Sequence, residues 1–226
     1  GVAMRAKLSV VIPTLDAAEG LKRSLPALAE GLGAGLIREL VISDGGSDDA
    51  TLTIARAAGA AVVTGPPARG GQLRRGAAAT EAEWLLFLHA DTVLPAGWAA
   101  CVLGHLPGGR PGFFPMRFDA PGLAPRVVAG WANLRARRLR LPYGDQGLLI
   151  SRDEYDRIGG YPDMPLMEDV AMARALGRRL VPLPVTITTS AEKYLRDGWL
   201  RRGARNLWRL LQYLLGADPE RLAARY

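Results

Sequence analysis

Short apolar runs alternate with helical patterns along the first half of the chain. The apolar runs lack the polar alternation of a one-sided strand, which indicates strands covered on both faces. Strand–helix–strand order predicts an α/β fold with a mostly parallel central sheet, right-handed crossovers and flanking helices. The predicted strands are 8–12, 39–43, 61–64 and 84–89, and the predicted helices are 17–30, 48–58 and 71–81.

The second half is less regular. It contains predicted strands at 113–118, 147–151 and 185–189, an arginine-rich helix at 126–140, a helix that begins at 168–169, and a long basic amphipathic helix at 195–215. One apolar stripe runs along the last helix, and it predicts that the helix packs on the domain with its arginines in solvent. The stripe consists of Leu200, Ala204, Leu207, Leu211 and Leu214.

The chain shows no linker or internal repeat, so residues 4–226 are predicted to form one domain. We expect a first half at about 4–92, a second half at about 93–190 and a C-terminal helical segment at about 191–226.

Candidate chemistry lies just after the strands, because ligands of open parallel sheets bind beyond the carboxyl ends of the strands. After the second strand comes DGGSDD, in which Asp44 could accept hydrogen bonds from a nucleobase or ribose. An ordinary strand-to-helix turn is the alternative for this segment.

The segment RGGQLRRGAA at 69–78 combines two glycines at a predicted helix start with Arg69, Arg74 and Arg75. A helix N-terminus and fixed positive charge both favour phosphate, although a solvated basic face would look the same. The spacing of a P-loop is missing, and no GxGxxG follows the first strand, which disfavours a dehydrogenase.

Two further positions carry isolated acids. Asp91 follows the apolar run at 84–89. A buried carboxylate there needs a partner or a cation, so it is either a metal ligand or a helix cap or arginine partner. Glu168 and Asp169 begin a helix, which the helix dipole alone would explain, but a carboxylate in this turn-rich region could also act as a general base.

The composition of the chain limits the kinds of binding partner that we expect. The formal net charge is +7 with a sequence pI near 10.1, which favours anionic partners such as nucleotides, phospholipids or nucleic acid. A single cysteine, Cys101, excludes an internal disulfide framework, and one cysteine with two histidines cannot build a structural zinc site.

In order, the segments VVIPTLDAAEGL, VISDGGSDDAT, LLFLHADT, IGGYPD and MEDVAMARAL resemble family 2 glycosyltransferases of the GT-A fold. The resemblance runs from about Leu8 to Leu180 and is closest to a small soluble bacterial subgroup with a HAD metal motif and a later GDQG segment, here residues 144–147. The resemblance implies a nucleotide-sugar donor, expected to be a UDP-sugar, and a divalent ion, Mn²⁺ or Mg²⁺. It implies an inverting displacement onto an acceptor hydroxyl, with the donor bound by the half at about 4–92 and the acceptor by the half at about 93–190.

Carried over by position, the resemblance makes Asp169, with Glu168 beside it, the catalytic base. Asp91 matches the last acid of the metal motif, and His89 stands where the first acid is usual. No Gln-x-x-Arg-Trp motif follows, which argues against processive synthesis. The expected nucleotide-binding residues are Pro13, Thr14, Asp16, Glu19, Asp44, Gly45, Ser47, Arg69, Gln72, Arg75 and Ala90; those on the acceptor side are Asp145, Gln146, Gly160 and Tyr161.

Two other readings stay open at this point: a nucleotidyltransferase built on a related sheet, and a non-catalytic module that binds nucleotide or membrane. We expect a cytoplasmic protein with no nucleic-acid partner and an acceptor that is lipid-linked or anionic. Peripheral contact with the inner membrane face is expected through the basic face of the last helix, together with Arg135, Arg137, Arg138 and Arg140.

Overall fold

The computed structural model describes residues 5–224; Met4, Arg225 and Tyr226 of the expected domain lie outside the described residues. The strands are β1 Leu8–Thr14, β2 Ile37–Asp44, β3 Ala61–Thr64, β4 Trp84–Phe87, β5 Thr92–Val93, β6 Gly112–Phe113, β7 Met116–Phe118, β8 Leu148–Ser151, β9 Val181–Pro182 and β10 Ile187–Thr189.

The helices are α1 Ala18–Ser24, α2 Ala29–Gly33, α3 Thr51–Ala57, α4 Arg69–Ala78, α5 Trp98–His105, α6 Leu123–Leu139, α7 Arg152–Arg157, α8 Glu168–Leu176, α9 Glu192–Asp197, α10 Trp199–Leu214 and α11 Pro219–Ala224. Short 3-10 turns cover Leu25–Leu28, Leu106–Gly108, Gly144–Gln146 and Gly177–Arg179.

Within the described residues the larger sheet has seven strands in the order β3-β2-β1-β4-β8-β6-β9. β3, β2, β1 and β4 are parallel, as the apolar runs predict, and β8 is antiparallel to β4 and β6. A smaller sheet has the order β5-β10-β7. The first four strands therefore end at one edge, where the loops after β1, β2 and β4 meet.

The core lies on both faces of the larger sheet. Alternate residues of β1 separate into two apolar clusters: Val10 and Ile12 belong to one, and Val11 belongs to the other. Burial on both faces explains why these strands read as continuous apolar runs.

Three predicted elements differ from the structure, each at a proline or glycine. The helix expected at 17–30 is interrupted at Pro26, whose missing N–H cannot support a continuous helix. The strand expected at 113–118 is divided by Pro115 between the two sheets. The helix expected at 195–215 is broken at Gly198, which has a φ of 87°.

Candidate active site

The loops after β1 and β2 are joined by hydrogen bonds. The Asp16 N–H donates to Ser47 Oγ (2.8 Å), and the Asp48 N–H donates to Asp16 Oδ1 (2.8 Å). Asp16 has a φ of 48°, a left-handed conformation that a non-glycine residue holds only when its surroundings require it. Both loops are thus fixed relative to each other before any ligand binds.

Asp44 is the buried anchor of this junction. Its side chain accepts four hydrogen bonds: from Thr14 Oγ1 (2.6 Å), Ser47 Oγ (2.5 Å), the Ser47 N–H (2.8 Å) and the Gly46 N–H (3.0 Å). Burial alone would raise the pKa of Asp44, but the bonds from Ser47 and Thr14 outweigh it and the pKa is lowered. The carboxylate therefore holds the loop, and a nucleobase would have to displace one of these partners.

Other residues expected to bind the nucleotide also make contacts within the protein. Gln72 is buried and donates from Nε2 to the carbonyls of Thr14 (2.9 Å) and Ser43 (3.0 Å), so it ties the ends of β1 and β2 together. Gly45 lies against Gln72, and a Cβ there would come 3.1 Å from Gln72 Oε1. Pro13 is buried within β1. Glu19 is exposed and pairs with Lys22 at 2.9 Å.

The N-terminus of α4 is covered by the loop that precedes α8. The Gly70 N–H donates to the Met164 carbonyl (3.0 Å), and a Cβ at Gly71 would lie 2.5 Å from Asp163 Oδ1. This corrects the expectation that Gly70 and Gly71 open a free anion site. The arginine side chains remain: Arg69 is exposed, and Arg75 packs on Gly65, with its Nη1 buried and without a hydrogen-bond partner in residues 5–224.

The turn after β4 brings His89, Ala90 and Asp91 to the sheet edge. Ser24 of α1 donates to the Ala90 carbonyl (2.6 Å), and Gly20 lies so close that a Cβ there would be 3.3 Å from the Asp91 Cα. Helix α1 therefore fixes this turn. Asp91 is half-buried. Burial, helped by the positive charges of Arg69 and Lys193, holds the pKa of His89 well below its usual range, so its imidazole is neutral at pH 7.

Glu168 and Asp169 begin α8 after a strained residue. Met167 has a φ of 68°. Asp169 Oδ2 accepts from the Gly144 N–H (2.8 Å) and Oδ1 accepts from the Val170 N–H (2.8 Å). A Cβ at Gly144 would lie 2.8 Å from His89 Nε2 and 3.5 Å from Asp169 Oδ2, so both side chains reach the same point. Only glycine fits there, which accounts for the first residue of GDQG.

Two acids of this region are kept from ionising easily. Burial, with Asp91 and Asp169 nearby, raises the pKa of Asp145 to about 6. Burial and the adjacent Asp169 raise the pKa of Glu168 to about 8, opposed by Arg69. The structure thus brings together His89, Asp91, Asp145, Asp169 and Arg69, and it keeps Glu168 largely protonated at pH 7.

Two expected acceptor-side residues lie in the interior instead. Gln146 is fully buried and accepts from the Tyr143 N–H (2.9 Å). Tyr161 is buried with its ring 4.9 Å from that of Phe87. Gly160, with a φ of 71°, contacts the ring of Tyr155. Hydrogen bonds at Gln146 and aromatic packing at Gly160 and Tyr161 place these residues in support of the wall of the site, and their acceptor-side role stays a prediction.

Sequence reasoning missed the far wall of the site. Arg135 of α6 is almost fully buried, with Cζ 3.2 Å from the centre of the Tyr143 ring, and Asp169 and Asp145 oppose the lowering of its pKa by burial. Lys193 and Tyr194 of α9 also approach the site, since Lys193 lowers the pKa of His89 and Asp145 contributes to the raised pKa of Tyr194. The only sequence signal was the position of Lys193 and Tyr194 in the segment that replaces Gln-x-x-Arg-Trp.

A divalent ion fits this set of groups, although no three His, Cys, Asp or Glu side chains in residues 5–224 converge closely enough to hold one alone. Asp91 and Asp169 both contribute to the raised pKa of Asp145, which indicates crowded negative charge. A hard cation would relieve that crowding and take its other oxygen ligands from a bound diphosphate.

Known proteins resemble this chain over more than half of its length. The profile of the family described as Glycosyl transferase family 2 matches residues 9–145. An uncharacterised glycosyltransferase of Mycobacterium tuberculosis, Rv0539, is 31% identical over 195 residues, which cover 79% of this chain and 84% of that protein.

Solved structures share the fold. Glucosyl-3-phosphoglycerate synthase from M. tuberculosis, in complex with Mn²⁺, UDP and glucosyl-3-phosphoglycerate, matches with a TM-score of 0.62 and 21% identity over 94% of this chain and 81% of that one. The mannosyltransferase PcManGT from Pyrobaculum calidifontis, in complex with GDP-Man and Mn²⁺, matches with a TM-score of 0.66 and 18% identity over 92% of this chain and 61% of that one. These structures show the GT-A fold, and the family profile and the M. tuberculosis relative identify this chain as a member of glycosyl transferase family 2.

Proposed function

We propose that this enzyme transfers a sugar from a nucleoside diphosphate donor, a UDP-sugar, to an acceptor hydroxyl with inversion at the anomeric carbon and without processive elongation. The observation that carries the proposal is the approach of His89 and Asp169 to Gly144, with Asp91 two residues after His89 at the edge where β1, β2 and β4 end. The similar proteins crystallised with UDP or GDP-Man and Mn²⁺ support the donor class and the metal. Family membership removes the support for a nucleotidyltransferase or a non-catalytic module.

Asp169 is the general base of this proposal. Backbone N–H groups of Gly144 and Val170 hold one oxygen each, so the carboxylate keeps a fixed orientation with lone pairs left for an acceptor hydroxyl. Glu168 does not compete at neutral pH, because a carboxyl group with a pKa of about 8 is mostly protonated there. Asp169 comes from α8 and Asp91 from the turn after β4, which allows attack opposite the leaving diphosphate.

The leaving group is stabilised by charge. A divalent ion held by Asp91, with His89 beside it, would neutralise the departing diphosphate. Arg69 adds a positive charge that acts on His89, Asp145 and Glu168 alike, so it lies within reach of the same centre. The neutral imidazole of His89 can donate a hydrogen bond to the diphosphate, or it can bind the metal ion, and neither adds charge to the site.

Base recognition stays assigned to the β1 and β2 loops. The contact proposed for Asp44 requires that a ring N–H of the base displace Ser47 Oγ from Asp44 Oδ1, since the remaining partners are buried or belong to the backbone. Asp16, Gly46 and Asp48, which are exposed, complete this end of the proposed pocket.

The test is a panel of nucleotides and nucleotide sugars, with Mn²⁺, with Mg²⁺ and without metal, read by thermal shift. A bound donor at ~100 times its dissociation constant stabilises the fold by about 2.7 kcal/mol. We expect UDP and a UDP-sugar to give metal-dependent shifts, and the anomeric configuration of the product, read by NMR, to be inverted. Absence of any nucleotide-dependent shift with either metal would overturn the proposal.

The acceptor and the location remain parts of the proposal. We propose a lipid-linked or anionic acceptor and a cytoplasmic enzyme with peripheral contact to the inner membrane face. No helix in residues 5–224 combines the length and the apolar character needed to cross a bilayer.

A further inference from the structure

Helix α10 presents its apolar stripe to solvent. Leu200 is 77% exposed, Leu211 is 44% exposed and Leu214 is 38% exposed, and Trp208 beside them is 62% exposed. This corrects the expectation that the stripe packs on the domain. An amphipathic helix with its apolar face in water is unfavourable by itself, because burying these side chains would remove apolar surface from water.

Polar anchors hold the helix in this orientation. Arg202 is buried and donates from Nη1 to Asp197 Oδ2 (2.9 Å), with its guanidinium 5.5 Å from the centre of the Tyr194 ring. Asn206 donates to the Tyr194 hydroxyl (3.1 Å), and Leu210 is buried in the core. The side of α10 that faces the domain therefore makes specific contacts, and rotating the helix to bury its leucines would break them.

Helix α6 adds a second exposed apolar row next to α10. The two helices pack together, with Gly203 of α10 within 4.0 Å of Val128 of α6 measured from an added Cβ. Four exposed apolar residues of α6 form a row at helical spacing: Leu123 (76%), Val127 (54%), Trp131 (40%) and Leu134 (50%). We call these residues, together with Leu200, Trp208, Leu211 and Leu214, the α6/α10 face. An exposed apolar patch on two adjoining helices marks an interaction surface.

The charge around this face has one sign. The 17 residues of α6 and the 16 residues of α10 contain eight arginines and no aspartate or glutamate. Not all of these arginines reach solvent, since Arg135 and Arg202 are buried and Arg140, just after α6, donates to the Leu180 carbonyl (2.6 Å). The exposed ones are Arg126, Arg137, Arg138 and Arg201.

We propose that the α6/α10 face docks on an anionic lipid surface, with its leucines and tryptophans in the headgroup region and its exposed arginines on the phosphates. Leucine and tryptophan on one side of a helix, with arginine beside them, are the composition of helices that lie in a membrane interface. A second copy of this chain fits less well, because it would bring another net charge of +7 to the same face. The apolar side chains, and not the basic face alone, make the contact.

This docking also has a consequence for the site. Helix α9 carries Lys193 and Tyr194, which act on His89 and Asp145, and only Gly198 separates it from α10 along the chain. An acceptor presented at the lipid surface would therefore be close to the acceptor side of the enzyme. The docking itself does not depend on the transfer reaction, and its test needs no activity.

The experiment is co-sedimentation of the protein with phosphatidylcholine vesicles, with and without phosphatidylglycerol, across a range of salt. We expect salt-sensitive binding to the anionic vesicles only. The double variant Trp208→Ser/Leu211→Ser should weaken it by roughly tenfold or more, because both side chains are exposed in the free protein and buried in the bound state. The charge variant Arg137→Gln/Arg138→Gln should weaken binding at low salt and remove much of its salt dependence.

The matched control is Leu32→Ser, which removes a leucine that is 60% exposed on α2. It should bind like wild type, and the unfolding temperature of every variant should stay near that of wild type. Absence of salt-sensitive binding to anionic vesicles would overturn the proposal, as would equal loss in Leu32→Ser. A dimer in light scattering that Trp208→Ser/Leu211→Ser dissociates, without vesicle binding by wild type, would assign the face to a second copy instead.

Discussion

Two groups of carboxylates in this enzyme have opposite surroundings. Asp44, at the end of β2, accepts four hydrogen bonds and has a lowered pKa. On the other side of the site, Glu168 is buried and Asp145 is half-buried, both beside like charges, and their pKa values are raised to about 8 and about 6. Hydrogen bonds outweigh burial at Asp44, whereas burial and like charge outweigh the backbone hydrogen bonds at Asp145 and Glu168.

This difference distinguishes a carboxylate that holds the fold together from carboxylates that are available for a ligand. A carboxylate whose lone pairs are all used can fix a loop, but it has little to offer a ligand. Acids crowded without enough donors leave a deficit of positive charge that a metal ion, an arginine or a proton can fill. Asp169 lies between the two cases, because two backbone N–H groups orient it while it remains among the crowded acids.

The largest expected effect is on the rate of transfer, from a substitution of Asp169 among the crowded acids. Asp169→Asn should lower transfer to acceptor by roughly 10²-fold or more, since an amide cannot take the acceptor proton. Donor and metal binding, measured by calorimetry, should remain near wild type. The matched control is Asp156→Asn, an exposed acid on α7, which should leave the rate unchanged. A rate close to wild type in Asp169→Asn with saturating acceptor would mean that the base lies elsewhere.

Asp44 already has hydrogen-bond partners for its oxygens, so Asp44→Asn should mainly lower the stability of the fold. The amide loses the charge that its four partners bind, at a cost of roughly 1.5–3 kcal/mol, and the unfolding temperature should fall by about 5–10 °C. UDP affinity without metal, measured on the folded variant, should also fall if the base displaces Ser47. Unchanged stability together with lost UDP binding would place Asp44 among the ligand contacts and remove the contrast drawn here.

Asp91 is expected to make UDP binding depend on the metal ion. Asp91→Asn is expected to leave the fold intact and to reduce the gain in UDP affinity that Mn²⁺ or Mg²⁺ provides by roughly tenfold, about 1.4 kcal/mol. Calorimetric titration of UDP with and without metal measures this difference. A variant that keeps the full metal effect would show that the ion is held by other groups.

The effect expected at Glu168 is on stability alone and depends on pH. Because burial raises its folded pKa from 4.5 to about 8, the wild-type protein has its full stability below the ordinary pKa and loses stability as pH rises through the folded pKa. Glu168→Gln cannot ionise, so it should unfold like wild type at low pH and at a clearly higher temperature above pH 8. Equal unfolding temperatures at both ends of the pH range would contradict the raised pKa.

The strand-end pattern predicted much of the fold and the general place of the site. Buried parallel strands must be apolar on both faces, so β1, β2 and β4 could be recognised from composition alone, and their ends located Asp44 and Asp91. Proline and glycine also carried local information, but their effect at Pro26, Pro115 and Gly198 was underestimated. The family resemblance added the roles, which composition cannot supply.

Tertiary structure alone decided which polar residues were used for support and which were left for chemistry. Asp44, Gln146 and Tyr161 were predicted as ligand contacts, and each also has a partner distant in sequence: Thr14 donates to Asp44, Gln146 donates to the Phe114 carbonyl, and the Tyr161 ring packs on Phe87. The same holds for α10, whose amphipathic pattern was evident while its orientation was not, because Asp197 and Tyr194 hold Arg202 and Asn206 inward. A sequence specifies periodicity and the ends of elements through local sterics, but the hydrogen-bond partners and the burial of a side chain depend on elements that only folding brings together.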